Sequence, residues 1–125
     1  MATIELTEEN FESTINDNDI VFIDFWADWC GPCKSFAPIY EAVSEKHPDI
    51  VFGKVDTEAQ QNLAAQFQIR SIPTLMIFRD KVLLFAQPGM LGEAQMEDLI
   101  QQVRDLDMAK VHEEIARQQA EQGQG

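Results

Sequence analysis

The run Val21-Phe22-Ile23-Asp24-Phe25-Trp26-Ala27-Asp28-Trp29-Cys30-Gly31-Pro32-Cys33-Lys34 carries more information than any other in this chain. From Ile20 to Trp26 it is nearly continuous apolar sequence, the pattern of a central strand covered on both faces. Beyond the two cysteines, Phe36, Ile39, Tyr40 and Val43 recur at helical spacing. Cys30 and Cys33 therefore stand where a buried strand gives way to a helix, the context in which C-x-x-C reads as a redox motif. Two cysteines three positions apart can close a small disulfide ring there. Unpaired N–H groups and the macrodipole at a helix N-terminus stabilise a thiolate, the form that attacks a disulfide sulfur. Cys30 is expected to be the exposed attacking thiol. Cys33, one turn further in, is expected to resolve the mixed disulfide.

Working outward, strand and helix patterns alternate. Ile4 to Leu6 reads as a short strand. Thr7 fits a helix N-cap with Glu8 and Glu9 in the first turn, and Leu6 and Phe11 fit a hydrophobic staple. Pro38 falls inside the helix after the cysteines, so a kink is expected there. His47-Pro48-Asp49 ends that helix. Ile50 to Val55 reads as a strand, and Ala59, Leu63 and Phe67 mark a helix. Thr74 to Phe78 and Val82 to Phe85 read as strands joined by Arg79-Asp80-Lys81, short enough for an antiparallel hairpin without the usual glycine. Met96, Leu99, Ile100, Val103 and Leu106 form the stripe of a last core helix. The fold class is therefore α/β: a largely parallel sheet flanked by helices, with the hairpin as its antiparallel edge. After residue 106 the composition turns Gln-rich. Met108, Val111 and Ile115 predict a helix from Met108 to Gln119 capped by Asp107, and the polar end from Glu121 to Gly125 is expected to be disordered.

The chain has 125 residues and a net charge of −13. One domain is expected, large enough for a core of its own. Such an acidic surface is repelled by nucleic-acid phosphates and anionic lipid, so neither partner is expected. No apolar run approaches the ~20 residues of a membrane span. Met1-Ala2-Thr3-Ile4-Glu5 is not the basic-then-apolar opening of a signal peptide, and a cytoplasmic location is expected. Two cysteines in such a chain point to catalysis or metal binding rather than a structural disulfide framework. Zinc needs about four ligands. Only two Cys and two His are present, and His47 and His112 lack ligand spacing. An inert buried Cys pair would leave Gly-Pro between the cysteines without a reason.

The segment Val21 to Lys34 resembles the active-site segment of the thioredoxin family, and Ile69-Arg70-Ser71-Ile72-Pro73-Thr74-Leu75 resembles its cis-proline loop. The likeness runs from about Ile4 to Leu106. It implies a thioredoxin fold over residues 1–106, with 107–125 as a C-terminal helical extension. The activity it implies is protein-disulfide reduction through Cys30 and Cys33, tuned by Gly31, Pro32 and Lys54. It also implies no bound cofactor beyond the Cys30–Cys33 disulfide, a monomer, disulfide-containing protein substrates, and an NADPH-dependent flavin reductase as electron source.

Asp24 interrupts the most apolar strand. A buried carboxyl has a raised pKa unless it is paired. An ion pair with Lys54 is one reading. The resemblance implies a second, compatible one, a proton acceptor for Cys33. Pro73 is expected to be cis, and Trp29, Gly31, Pro32, Ile72, Pro73 and Gly89 to form the substrate contact. Gly89 has a purely geometric alternative, a turn at positive φ. Trp26 is assigned to the core. Pro88-Gly89-Met90 departs from the family pattern at one wall of the contact surface. Two other functions compete. An oxidase or isomerase of the same fold usually carries His between the cysteines, and none is present. A binding or chaperone subunit with incidental thiols would not need them for activity.

Overall fold

The computed structural model describes residues 2–123. The elements run β1 (Thr3–Glu5), α1 (Phe11–Asp17), β2 (Ile20–Trp26), α2 (Gly31–Lys46), β3 (Val51–Asp56), α3 (Gln61–Gln66), β4 (Thr74–Arg79), β5 (Val82–Pro88), α4 (Glu93–Asp105) and α5 (Met108–Gln122). Five strands form one sheet in the order β1-β3-β2-β4-β5. β2 is central, and its first six residues are buried because helices cover both faces.

One face carries Phe22, Phe52, Leu75 and Ile77 against Phe36, Tyr40 and Val43 of α2 and Met96, Ile100 and Val103 of α4. The other carries Val21, Ile23, Phe25 and Met76 against Leu6, Phe11, Ile15 and Leu63. The period-2 alternation of the strands thus divides one sheet between two cores. α2 continues unbroken through Pro38, whose ring removes the N–H that would bond the Lys34 carbonyl.

The sequence expects only the terminal hairpin to be antiparallel. In the structure β4 is antiparallel to β2 as well as to β5, while β1, β3 and β2 run parallel. After β3 the chain stays at the end of the sheet where that strand finished, and β4 starts there. Thr74 pairs with Phe25, close to the cysteines.

Two local expectations are also corrected. α1 begins at Phe11, with Asn10 rather than Thr7 at its cap position. The Asn10 side chain accepts the Thr7 N–H at 2.7 Å and donates to the Glu5 carbonyl at 3.0 Å, closing a turn ahead of the helix. Leu6 and Phe11 nonetheless share one buried cluster. At the other end, Asp107 caps α5 by accepting the Lys110 N–H at 3.2 Å. α5 runs to Gln122, past Gln119, and includes Glu121 and Gln122, which their polarity had assigned to a disordered end. Good helix formers carry the helix onward, and Arg117 pairs with Glu113 and Glu114 one turn away. Residues 124 and 125 of that expectation lie outside the described residues.

Candidate active site

β2 ends at Trp26, and Ala27 to Trp29 turn the chain into α2. Cys30 is the N-cap of α2 in extended backbone, and Pro32 occupies the first turn, where a missing N–H costs nothing. Cys30 and Cys33 form a disulfide with Cα atoms 5.2 Å apart. The Cys33 N–H points at the Cys30 sulfur, 3.2 Å away. That donor is one of the helix's orphan amides, and it favours negative charge on Cys30 once the disulfide opens.

Exposure differs from expectation. Cys30 is 4% exposed and Cys33 3%, so in the disulfide form the presumed attacker is as covered as its partner. Ala27, Trp26 and Ile72 pack around the pair. The Ile72 carbonyl oxygen lies 3.6 Å from the Cys30 sulfur. A spacing rule within the helix could not register this cover, because it arrives from a loop some forty residues away. Gly31, Pro32 and Trp29 stay exposed around the buried sulfurs, Trp29 at 69%.

The structure brings the proline loop and Gly89 to the same place. The Ile72–Pro73 bond is cis. Gly89 has φ of 102° and donates its N–H to the Pro73 carbonyl at 2.8 Å. Its glycine identity is thereby explained by backbone conformation. Pro73 is buried and Ile72 half-buried, leaving Trp29, Ile72 and Gly89 at the rim. Sequence reasoning missed Glu58. Its carboxylate accepts the Trp29 indole N–H at 2.6 Å and so orients the most exposed aromatic ring of the site. No spacing pattern links positions 29 and 58. Only the turn after β3 joins them.

Behind the disulfide, Asp24 is fully buried. It stands in register with Lys54 on β3. The expected ion pair is not closed. Neither Asp24 oxygen has a hydrogen-bond partner among the described residues. The Lys54 ammonium lies instead 5.0 Å from the centroid of the Trp26 ring, a cation–π placement. Burial pushes the Asp24 carboxyl up to about 7, with Lys54 pulling weakly the other way. A cavity of about 90 Å³ is bordered by both Cys33 and Lys54. Trp26, expected in the core, is half-buried and borders this cavity. Among the described residues no three or more His, Cys, Asp or Glu side chains are grouped to hold a metal.

This geometry agrees with the relatives of the chain. The thioredoxin family model matches residues 2–105. A Streptomyces coelicolor protein named "Putative thioredoxin 2" is 60% identical over 122 residues, 98% of this chain and 91% of its own length. That alignment takes in α5. Thioredoxin from Alicyclobacillus acidocaldarius is 40% identical over 105 residues, 80% of this chain and 100% of its own. Among solved structures, a thioredoxin of Plasmodium falciparum superposes with a TM-score of 0.73 at 32% identity, covering 80% of this chain and 97% of that one. Family model, homologues, fold and a C-x-x-C pair at disulfide distance coincide, and the chain belongs to the thioredoxin family of thiol–disulfide oxidoreductases.

Proposed function

We propose that this protein reduces disulfides in other proteins, with Cys30 as nucleophile, Cys33 as resolving thiol and Asp24 as proton acceptor for Cys33. The observation that carries the assignment is the Cys30 sulfur at the N-cap of α2, with the Cys33 amide 3.2 Å away. In the reduced protein the Cys30 thiolate attacks a substrate disulfide. One new S–S bond forms and one substrate thiolate leaves. Cys33 then loses its proton and attacks the Cys30 sulfur, releasing the second substrate thiol and closing Cys30–Cys33. Asp24, held near neutral pH by burial, is matched to that proton.

Gly31 and Pro32 tune the pair, and Lys54 tunes Asp24. Trp29, Ile72, Pro73 and Gly89 receive the substrate chain, whose backbone pairs with the proline loop in strand fashion. Two electrons return from an NADPH-dependent flavin reductase, and no bound cofactor takes part. The protein acts as a monomeric electron carrier in the cytoplasm, contributing to redox homeostasis. Its charge of −13 supports a role away from nucleic acid and membranes. No described helix is long and apolar enough to cross a membrane. Residues 107–125 are an accessory extension to a domain formed by residues 1–106.

Insulin-disulfide turnover by wild type and Cys30→Ser tests the reading. Loss of turnover in the variant is expected. Unchanged solubilising or binding activity in Cys30→Ser would favour a binding subunit whose thiols are incidental.

A further inference from the structure

Lys54 stands in the middle of a row that crosses three strands. On one side it pairs with Asp24 of β2, and on the other with Glu5 of β1. Neighbouring strands lie about 4.8 Å apart, so both carboxylates are within a side chain's reach of the ammonium. Asp24 is fully buried, and its oxygens have no hydrogen-bond partner among the described residues. A buried carboxylate without a partner is the costlier of the two to leave alone, and it draws a cation more strongly than an exposed one does. Lys54 nevertheless lies over the Trp26 ring. Its pull toward Asp24 is offset from the β1 side.

That side carries a second carboxylate. Glu41 of α2 accepts the Thr3 hydroxyl at 2.8 Å and the Ala2 N–H at 3.1 Å, which ties it to the start of β1. The Thr3 hydroxyl chiefly, with the Ala2 amide and the Lys54 charge adding to it, holds the Glu41 carboxyl below its usual range. Asp56 is taken up by its own turn, where it accepts the Glu58 and Ala59 N–H groups. Tyr40, the group of α2 that senses Asp24, is kept protonated by burial and donates to the Gly53 carbonyl. Lys54 borders a cavity on each side. One is an open depression of about 410 Å³ shared with Glu5 and Trp26. The other is the 90 Å³ cavity shared with Cys33, Asp28 and Lys34. We propose that Glu5 and Glu41 are positioning residues, whose charges hold the Lys54 ammonium over Trp26 and off Asp24 and so keep Asp24 able to take up a proton. The consequence for turnover rests on the reading of Asp24 as proton acceptor for Cys33.

The test follows the Asp24 carboxyl carbon by NMR through a pH titration of the full oxidised chain. Glu5→Gln and Glu41→Gln each lower the midpoint by up to about 0.7 in pH, the most that an exposed pair supplies, and the double change lowers it further. Thr3→Val removes a hydrogen bond to Glu41 but no charge, and leaves the midpoint in place. In Lys54→Met the two Gln changes lose their effect, because they act through the ammonium. An unmoved midpoint in the double variant would overturn the assignment. So would an equal shift with and without Lys54, or a shift in Thr3→Val as large as in Glu41→Gln. The pH profile of insulin turnover moves with the midpoint. A midpoint that moves while the profile stays would uphold the placement of Lys54 and instead bring down the reading of Asp24 as proton acceptor.

Discussion

Asp24 of β2 and Lys54 of β3 occupy paired positions in the parallel sheet, yet the ammonium lies over the Trp26 ring and not on the carboxylate. Asp24 is thus a buried carboxyl with a cation close enough to feel but not to bond. That arrangement keeps it titrating near neutrality. A closed ion pair would hold it ionised.

This has a consequence for stability with a definite sign. The Asp24 carboxyl titrates at about 7 when folded, against 3.8 ordinarily. Between those values the folded protein holds a proton that the unfolded chain has lost. Stability therefore falls as pH rises from about 4 to about 7, by on the order of 4 kcal/mol in all, and is level above that window. Asp24→Asn removes this slope. Guanidinium unfolding of the oxidised proteins is expected to find the variant more stable than wild type at pH 8 and without that advantage at pH 4. Parallel stability profiles for the two proteins would show that Asp24 does not titrate there.

In the same variant turnover is expected to fall, because the proton acceptor proposed for Cys33 is gone. A rate at neutral pH equal to wild type, with only stability altered, would leave Asp24 a structural residue.

Cys33→Ser is expected to trap substrates on Cys30. The first exchange needs only Cys30, and the second needs the missing thiol. Non-reducing gels after incubation with oxidised insulin show the adducts. In the reduced wild type, limited iodoacetamide labels Cys30 before Cys33. Preferential labelling of Cys33 would exchange the two roles.

Gly53 pairs with both Ile4 and Ile23 in the sheet, and its carbonyl accepts the Tyr40 hydroxyl at 2.8 Å. A Cβ there would run into the fully buried Leu6 side chain. Gly53→Ala is expected to destabilise by about 1–3 kcal/mol, the usual effect of overpacking. Adding Leu6→Val restores part of the loss, as read from urea midpoints. Additive effects of the two changes would show that the clash is relieved elsewhere.

Removing residues 107–125 takes away α5 and the buried Met108 side chain. A loss of about 2–3 kcal/mol is expected from that burial. The removed helix also carries His112, 3.4 Å from Asp80 at the hairpin turn. That contact is exposed and adds little. Insulin turnover by the truncated protein stays close to wild type. A truncation that folds normally but is not reduced by its reductase would make α5 a recognition element.

Local pattern was enough for the elements of this protein and for its chemistry. The apolar run of β2, the helical spacing after Cys33 and the C-x-x-C between them are readable because hydrophobic period and helix-end electrostatics act over a few residues. Asp107 as the cap of α5 was legible for the same reason. The direction of β4 was not. It depends on the end of the sheet at which the chain re-enters after β3, and the sequence of β4 reads the same either way. The cover over Cys30, the Glu58 partner of Trp29 and the displacement of Lys54 from Asp24 onto Trp26 were equally hidden. Each joins residues from separate elements, and only the packing of the sheet brings them within a few ångströms. The reactive pair is written in the chain, while its burial, the environment of Asp24 and the rim of Trp29, Ile72 and Gly89 are set by long-range contacts that no spacing encodes.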